Sequence, residues 1–217
     1  MFGLFKRKLR RVASIERKTK ETQINCSFNI DGKGKTEIST GIGLLDHMLE
    51  LFVFHGLFDL KLRVIKSDLN VDLHHTNEDV GIVMGQALKK ALGDMQGISR
   101  FGFFSAPMED VKADVTVDIS GRGHFQGIRK TGIQIAPNKD KVKDNYSEEL
   151  ANHFFESFAK QSGINLIINA EVPATTSFVD IHTVLEPIFK ALGKALDKAT
   201  QIDPRRKGIP STKGIID

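Results

Sequence analysis

Apolar residues recur along this chain with two different periods. Over residues 77–92, Val80, Val83, Met84, Ala87, Leu88 and Ala91 fall at helical spacing, which predicts a helix with one buried stripe. Residues 44–55, 149–162 and 184–199 predict three more helices. Residues 22–30 and 113–119 alternate apolar with polar, the pattern of half-buried strands, and shorter strands are expected at 59–64 and 164–170. Gly32, Gly34, Gly121 and Gly123 mark turns between them.

The second half of this pattern echoes the first. His74-x-x-x-Glu78 reappears as His182-x-x-x-Glu186, an offset of 108 that also relates Val80 to Ile188 and Gly85 to Gly193. An earlier helix repeats at an offset of 106, where His47 aligns with His153 and Phe52 with Phe158. Offsets this close indicate duplication of one supersecondary unit with small loop changes. The expected fold is α+β: two sheets, each with two helices packed on one face, related by a pseudo-twofold axis. The expected division is a basic extension at 1–12, a first half at 13–105, a second half at 106–205 and a tail at 206–217.

Composition narrows the function classes. Hydrophobic residues make up 40% and charged residues 27%, a globular balance. The longest apolar stretch, 44–58, is interrupted by Asp46, His47, Glu50 and His55, so no membrane span is expected. Cys26 is the single cysteine, which removes a disulfide framework and a thiolate metal site and suits a reducing compartment such as the cytoplasm. The apolar part of residues 1–5 is too short for a signal-peptide core. Net charge is +4, and cations crowd the first 20 residues, where Glu16 is the only acid. That arm allows a nucleic-acid role, but basic and aromatic residues do not interleave, and the chain has no Trp and one Tyr. No nucleic-acid partner is expected.

The chemistry concentrates in Asp72-Leu73-His74-His75-Thr76-Asn77-Glu78-Asp79. His74 and Glu78 are four apart at the head of a helix, so both lie on one face and can grip one cation. His75 is turned about 100° away and needs another partner, naturally a second metal. Imidazole and carboxylate donors without thiolate suit Mn²⁺, Fe²⁺, Zn²⁺ or Co²⁺. His153 is expected to be structural or at the surface, and His124, after a Gly-Arg-Gly turn, to lie in a loop. Arg100, Arg122, and Ser211 with Lys213 near the C-terminus have the donors that a phosphate monoester needs.

Six strings resemble, in order and over nearly the whole chain, the imidazoleglycerol-phosphate dehydratase family of histidine biosynthesis. They are TGIGLLDHML (40–49), HHTNEDVG (74–81), RFG (100–102), DISGR (118–122), HFFESFA (153–159) and STKG (211–214). The resemblance implies a duplicated fold of the ribosomal protein S5 domain 2 type. It implies a cytoplasmic hydro-lyase that converts imidazole glycerol phosphate to imidazole acetol phosphate. It also implies two Mn²⁺ ions per site and a homo-oligomer of about 24 subunits with sites between neighbours.

By the resemblance, one metal takes His47, His75, His182 and Glu186, and the other takes His74, Glu78 and two further histidines. At those two places this chain has Ile167 and Thr183, so one Mn²⁺ site is well formed and the second is incomplete. The catalytic carboxylates implied are Glu21, Glu78 and Glu186, with Glu21 the acid/base candidate. His55, Arg100, Arg122, Ser211 and Lys213 are implied to face the phosphorylated imidazole substrate. By the family's mechanism the substrate imidazole loses a proton, a carboxylate helps remove a carbon-bound proton, and hydroxyl leaves. The alternative is a divergent paralogue that binds a phosphorylated ligand in the same fold with little or no dehydration.

Overall fold

The computed structural model describes residues 11–131, 134–136, 146–172 and 178–217. The basic arm at 1–10 therefore lies outside the described residues. Arg11 already belongs to the fold: its guanidinium donates to both carboxylate oxygens of Asp31 and to the Thr200 carbonyl.

Each half builds one four-stranded sheet in the same order. The first half contains β1 (Val12–Lys18), β2 (Gln23–Asn29), β3 (Lys35–Ser39), α1 (Gly43–Gly56), β4 (Asp59–Lys66) and α2 (His74–Leu92). Its strands are ordered β1-β2-β4-β3. The second half contains β5 (Phe101–Met108), β6 (Val111–Ile119), β7 (Arg129–Thr131), α3 (Glu148–Ser162), β9 (Ile164–Glu171) and α4 (Ile181–Thr200), with strands ordered β5-β6-β9-β7. In both sheets the first two pairings are antiparallel and the last is parallel. A parallel neighbour cannot follow through a tight turn, so α1 and α3 carry the chain across. Two short strands, β8 (Gln134–Ala136) and β10 (Phe178–Asp180), pair with each other and have no counterpart in the first half.

The expected joint at 105/106 falls inside β5. The duplication divides instead between the end of α2 at Leu92 and the start of β5 at Phe101. The pattern missed this because β5 exposes Phe101, Phe103 and Phe104, which do not alternate as a half-buried strand should.

Alternation decides which face of each sheet is covered. Ile24, Cys26 and Phe28 of β2 point inward, as do Val111, Ala113, Val115, Val117 and Ile119 of β6. Over these faces lie the helices. Those of one half pack on those of the other, α1 on α4 and α2 on α3, so the two halves share one core. Two duplicated glycines allow the helices to meet. A Cβ on Gly193 of α4 would lie 2.4 Å from the Phe52 carbonyl oxygen of α1, and one on Gly85 of α2 would lie 2.6 Å from that of Phe158 in α3. Gly85 and Gly193 are repeat partners, as are Phe52 and Phe158, so the two crossings are copies of one another. Among the described residues no helix is long and apolar enough to cross a membrane.

Candidate metal centre

The two crossings bring ligand-type side chains together from opposite halves. The second helix of each half begins earlier than periodicity indicates, at His74 and Ile181 rather than at 77 and 184. The cause is local: Asp72 accepts the His74 amide at 2.7 Å, and Asp180 accepts the His182 amide at 2.6 Å. These carboxylates satisfy amides that a helix start leaves open and hold each histidine in the first turn. Glu78 and Glu186 then follow one turn later.

His182 and Glu186 of α4 face His47 of α1. His182 Nε2 is 3.1 Å from Glu186 Oε2, His47 Nε2 is 3.9 Å from the same oxygen, and the two rings are 5.2 Å apart. One ligand atom from each residue lies within 4.8 Å of the others. Two imidazoles and a carboxylate at this spacing fit a divalent cation of borderline softness, and both histidines are open enough to leave room for further ligands. Lys190 Nζ occupies the other side of the carboxylate, 2.5 Å from Glu186 Oε1. Burial works against ionisation of Glu186, but hydrogen bonds from Lys190 and His182 outweigh it and hold the carboxyl below its usual range.

The other crossing holds the duplicate set. His74 Nδ1 lies 3.0 Å from His153 Nδ1, and His74 Nε2 lies 3.5 Å from Glu78 Oε2. All three line a cavity of about 220 Å³ with Glu156 and Lys160. His153, expected to be structural or at the surface, is half-buried and faces His74. The available signal was its repeat relation to His47, combined with the docking of α3 on α2.

His75 stands elsewhere in the chain. Its Nδ1 is 2.7 Å from Asp68 Oδ2 and 3.8 Å from Glu21 Oε2, apart from the His47, His182 and Glu186 group with which it was expected to share a metal. The hydrogen bond to Asp68 raises the pKa of His75 above the ordinary histidine value; it outweighs desolvation, and Glu21 adds to it. Asp68 was not identified from sequence, because it lies in a loop with no periodic signal. Its second carboxylate oxygen is buried without a protein partner among the described residues. At the two places where the resemblance implies histidines, Ile167 is half-buried in β9 opposite Thr116, and Thr183 is half-buried in the first turn of α4.

The substrate-facing candidates divide between two places. His55, near the end of α1, faces Lys190, Lys194 and Glu186. Burial pushes its pKa down, and the two lysines push it further. Arg100 is already committed within the chain. It forks onto Asp118 at 2.7 and 3.3 Å, donates to the Pro210 carbonyl at 3.0 Å and stacks over Phe101. These contacts hold its backbone at φ 72, a region that non-glycine residues rarely adopt. The tail thus returns to the turn that carries Arg122, where Gly121 packs against Asp217. Ser211 and Lys213 lie in that tail, with the Lys213 amide donating to the Ser211 hydroxyl. His124, expected in a loop, pairs by its backbone with β9 through Ile164 and Leu166.

A family model described as imidazoleglycerol-phosphate dehydratase matches residues 40–196. The chain belongs to the imidazoleglycerol-phosphate dehydratase family. A member from Pelobacter propionicus is 47% identical over 206 residues, covering 95% of this chain and 99% of that protein. One from a Thermoanaerobacter species is 48% identical over 206 residues, covering 95% of this chain and all of that protein. The crystal structure of imidazoleglycerol-phosphate dehydratase from Staphylococcus aureus superposes with a TM-score of 0.68 at 30% identity, covering 88% of this chain and 99% of that one. The Pyrococcus furiosus enzyme, solved in complex with (S)-C348, gives 0.69 at 30% identity and covers 93% of this chain. Membership of this dehydratase family places the chain among the hydro-lyases of histidine biosynthesis.

Proposed function

We propose that this chain removes water from imidazole glycerol phosphate to give imidazole acetol phosphate, using a Mn²⁺ site founded on His47, His182 and Glu186. The convergence of those three side chains across the α1–α4 crossing carries the reading. When bound, the cation supplies Lewis acidity to the charge that develops on the substrate ring.

The chain's own residues account for the rest. Dehydration takes a proton from one carbon and hydroxide from its neighbour, so a base must stand beside the ring. Glu21 is the candidate: its side chain is half exposed and travels with His75. If a neighbouring copy supplies His75 as the fourth ligand, it delivers Glu21 to the same place. Asp68 holds His75 Nδ1 and so presents Nε2 outward. His55, whose pKa is lowered by burial and then by Lys190 and Lys194, can exchange hydrogen bonds with a neutral hydroxyl or ring. Arg122, Ser211 and Lys213 meet the phosphate at the tail corner.

Assembly into a homo-oligomer is part of this proposal, as is a cytoplasmic setting. Support for assembly comes from the exposed Phe101, Phe103 and Phe104 on edge strand β5, and from Phe54 and Leu57 at the end of α1. The test is turnover of imidazole glycerol phosphate with Mn²⁺ in the wild type and in His75→Ala. We expect the variant to lose activity. Mixing His75→Ala with His182→Ala subunits should restore part of it, because a shared site needs only one good half from each copy. Unchanged turnover in His75→Ala would refute the assignment.

One observation favours a second reading. Ile167 and Thr183 cannot supply imidazoles to a second cation, which fits a paralogue that binds a phosphate monoester with little turnover. In that case Ile167→His with Thr183→His should raise both metal content and rate.

A further inference from the structure

We infer that Asp79 is a positioning residue for the dehydration: with Arg17 and Thr22 it clamps the β1–β2 turn onto α2 and so fixes Glu21 beside His75. This rests on reading Glu21 as the base under the proposed function and adds the device that aims it. Three observations carry it.

The first is the clamp itself. Asp79 is buried, and its two carboxylate oxygens take partners from the two arms of the turn. Arg17 Nε, on β1, donates to Oδ1 at 2.8 Å, and the buried Thr22 hydroxyl, just before β2, donates to Oδ2. Hydrogen bonds to an ionised acceptor are about twice as strong as neutral ones and add geometric specificity. Apolar contact between α2 and the sheet is non-directional, whereas a carboxylate bonded from two sides sets orientation.

The second is what the clamp holds. Between Arg17 and Thr22 the chain folds over the Thr19 hydroxyl, which accepts the amides of Glu21 at 3.1 Å and Thr22 at 2.9 Å. The Thr19 amide donates to the Thr22 carbonyl at 2.9 Å, and Lys66 of β4 donates to the Lys20 carbonyl. The backbone of the turn is thus tied down, while the Glu21 carboxylate is left half exposed, 3.8 Å from His75 Nδ1. His75 lies one helical turn before Asp79. One face of α2 therefore carries His75 and grips the turn that carries Glu21.

The third is the duplicate, which lacks the device. At the offset of 108 that relates Val80 to Ile188, Asp79 corresponds to Pro187, a buried residue of α4 whose side chain can accept no hydrogen bond. The matching β5–β6 connection is only Glu109 and Asp110, against residues 19–22 between β1 and β2. The helix packs on the sheet in both halves, α4 on β5 and β6 as α2 on β1 and β2. The fold therefore forms without a carboxylate at this place, and the half that has one is the half whose turn bears Glu21. Burying a carboxylate costs desolvation, so packing alone does not account for Asp79.

The test is a double-mutant cycle on the full-length protein with Mn²⁺, read as kcat and KM for imidazole glycerol phosphate. Thr22→Val keeps the shape and removes the hydroxyl. It should lower kcat at least tenfold with KM changed less than twofold, and Thr22→Ser should recover most of the loss. In Glu21→Gln with Thr22→Val, kcat should be no lower than in Glu21→Gln alone, because a clamp acts only through what it holds. Losses that multiply, or wild-type kcat in Thr22→Val, overturn the inference and leave Glu21 as the base. Wild-type kcat in Glu21→Gln removes the base and this inference together. Should Thr22→Val fail to fold, Arg17→Met repeats the cycle from the half-exposed arm of the clamp. Amide hydrogen exchange needs neither substrate nor metal. Asp79→Asn and Thr22→Val should speed exchange at Glu21 and Thr22 at least tenfold and leave the central amides of α2 unchanged. Unchanged exchange at the turn, or equal acceleration throughout α2, overturns the inference.

Discussion

Gly193 and Phe52 are in backbone contact, so close that a single methyl group on Gly193 would stand 2.4 Å from the Phe52 carbonyl oxygen. The obstacle is main chain on a neighbouring helix, which cannot rotate away. Gly193→Ala should therefore force α4 off α1 and cost about 1–3 kcal/mol, a fall of about 2–4 °C in Tm for each kcal/mol. Cation affinity at His47 and His182 should fall with it, since those residues ride on the separated helices. Gly85→Ala should destabilise similarly, from a contact of 2.6 Å, while sparing that affinity. Calorimetry and metal titration on both variants check this; an unshifted Tm in either refutes it.

Tyr146 is buried, and its hydroxyl donates to Asn77 Oδ1 at 2.7 Å, while Asn77 Nδ2 donates to the Leu150 carbonyl at 2.8 Å. This network ties α2 to the start of α3, and burial pushes the phenol's ionisation well above its ordinary range. Tyr146→Phe leaves the Asn77 oxygen without its donor in a buried site. Urea denaturation should show a loss of about 1–3 kcal/mol.

The pH behaviour of His55 follows from its surroundings. Burial, then Lys190 and Lys194, hold its pKa below the ordinary 6.5. The unfolded chain thus binds the proton more readily than the folded one. The stability His55 contributes is fully present above pH 6.5 and is lost as pH falls through its lower folded value. An NMR titration of the His55 ring should find a midpoint below 6.5, and Lys194→Met should move it upward. A wild-type midpoint at or above 6.5 would contradict the assignment.

Arg100 joins β5, Asp118 of β6 and the carbonyl of Pro210, so it fastens the C-terminal tail to the second sheet. Asp118→Ala removes one side of this fork and should cost about 1.5–3 kcal/mol, the range for hydrogen bonds to charged groups. The larger effect should be local. Limited proteolysis should cut within 206–217 faster, and KM for the phosphorylated substrate should rise more than kcat falls, because Ser211 and Lys213 depend on that anchorage. Equal cleavage rates in variant and wild type would show that the tail is held by something else.

Much of this molecule was legible in the order of its residues. Helical and alternating periods are local properties of backbone geometry, so the four helices, the principal inner strands and the duplication could be read from spacing alone. The i,i+4 relations of His74 with Glu78 and of His182 with Glu186 are equally local, because one turn of helix sets them. Strand β5 was not legible, since three exposed phenylalanines hide its alternation. Asp68 was not either, since a loop carries no period.

Tertiary structure decided which histidine meets which. His47 is 135 residues from His182, and His153 is 79 from His74; no periodicity spans such distances. Those pairs form because α1 docks on α4 and α2 on α3, and that docking is set by shape: paired glycines, a shared core of phenylalanines and one buried face on each sheet. The same docking leaves His75 on a different side, beside Asp68 and Glu21. Chain order thus specified the donor types and their local spacing, while close packing between the halves determined their partners.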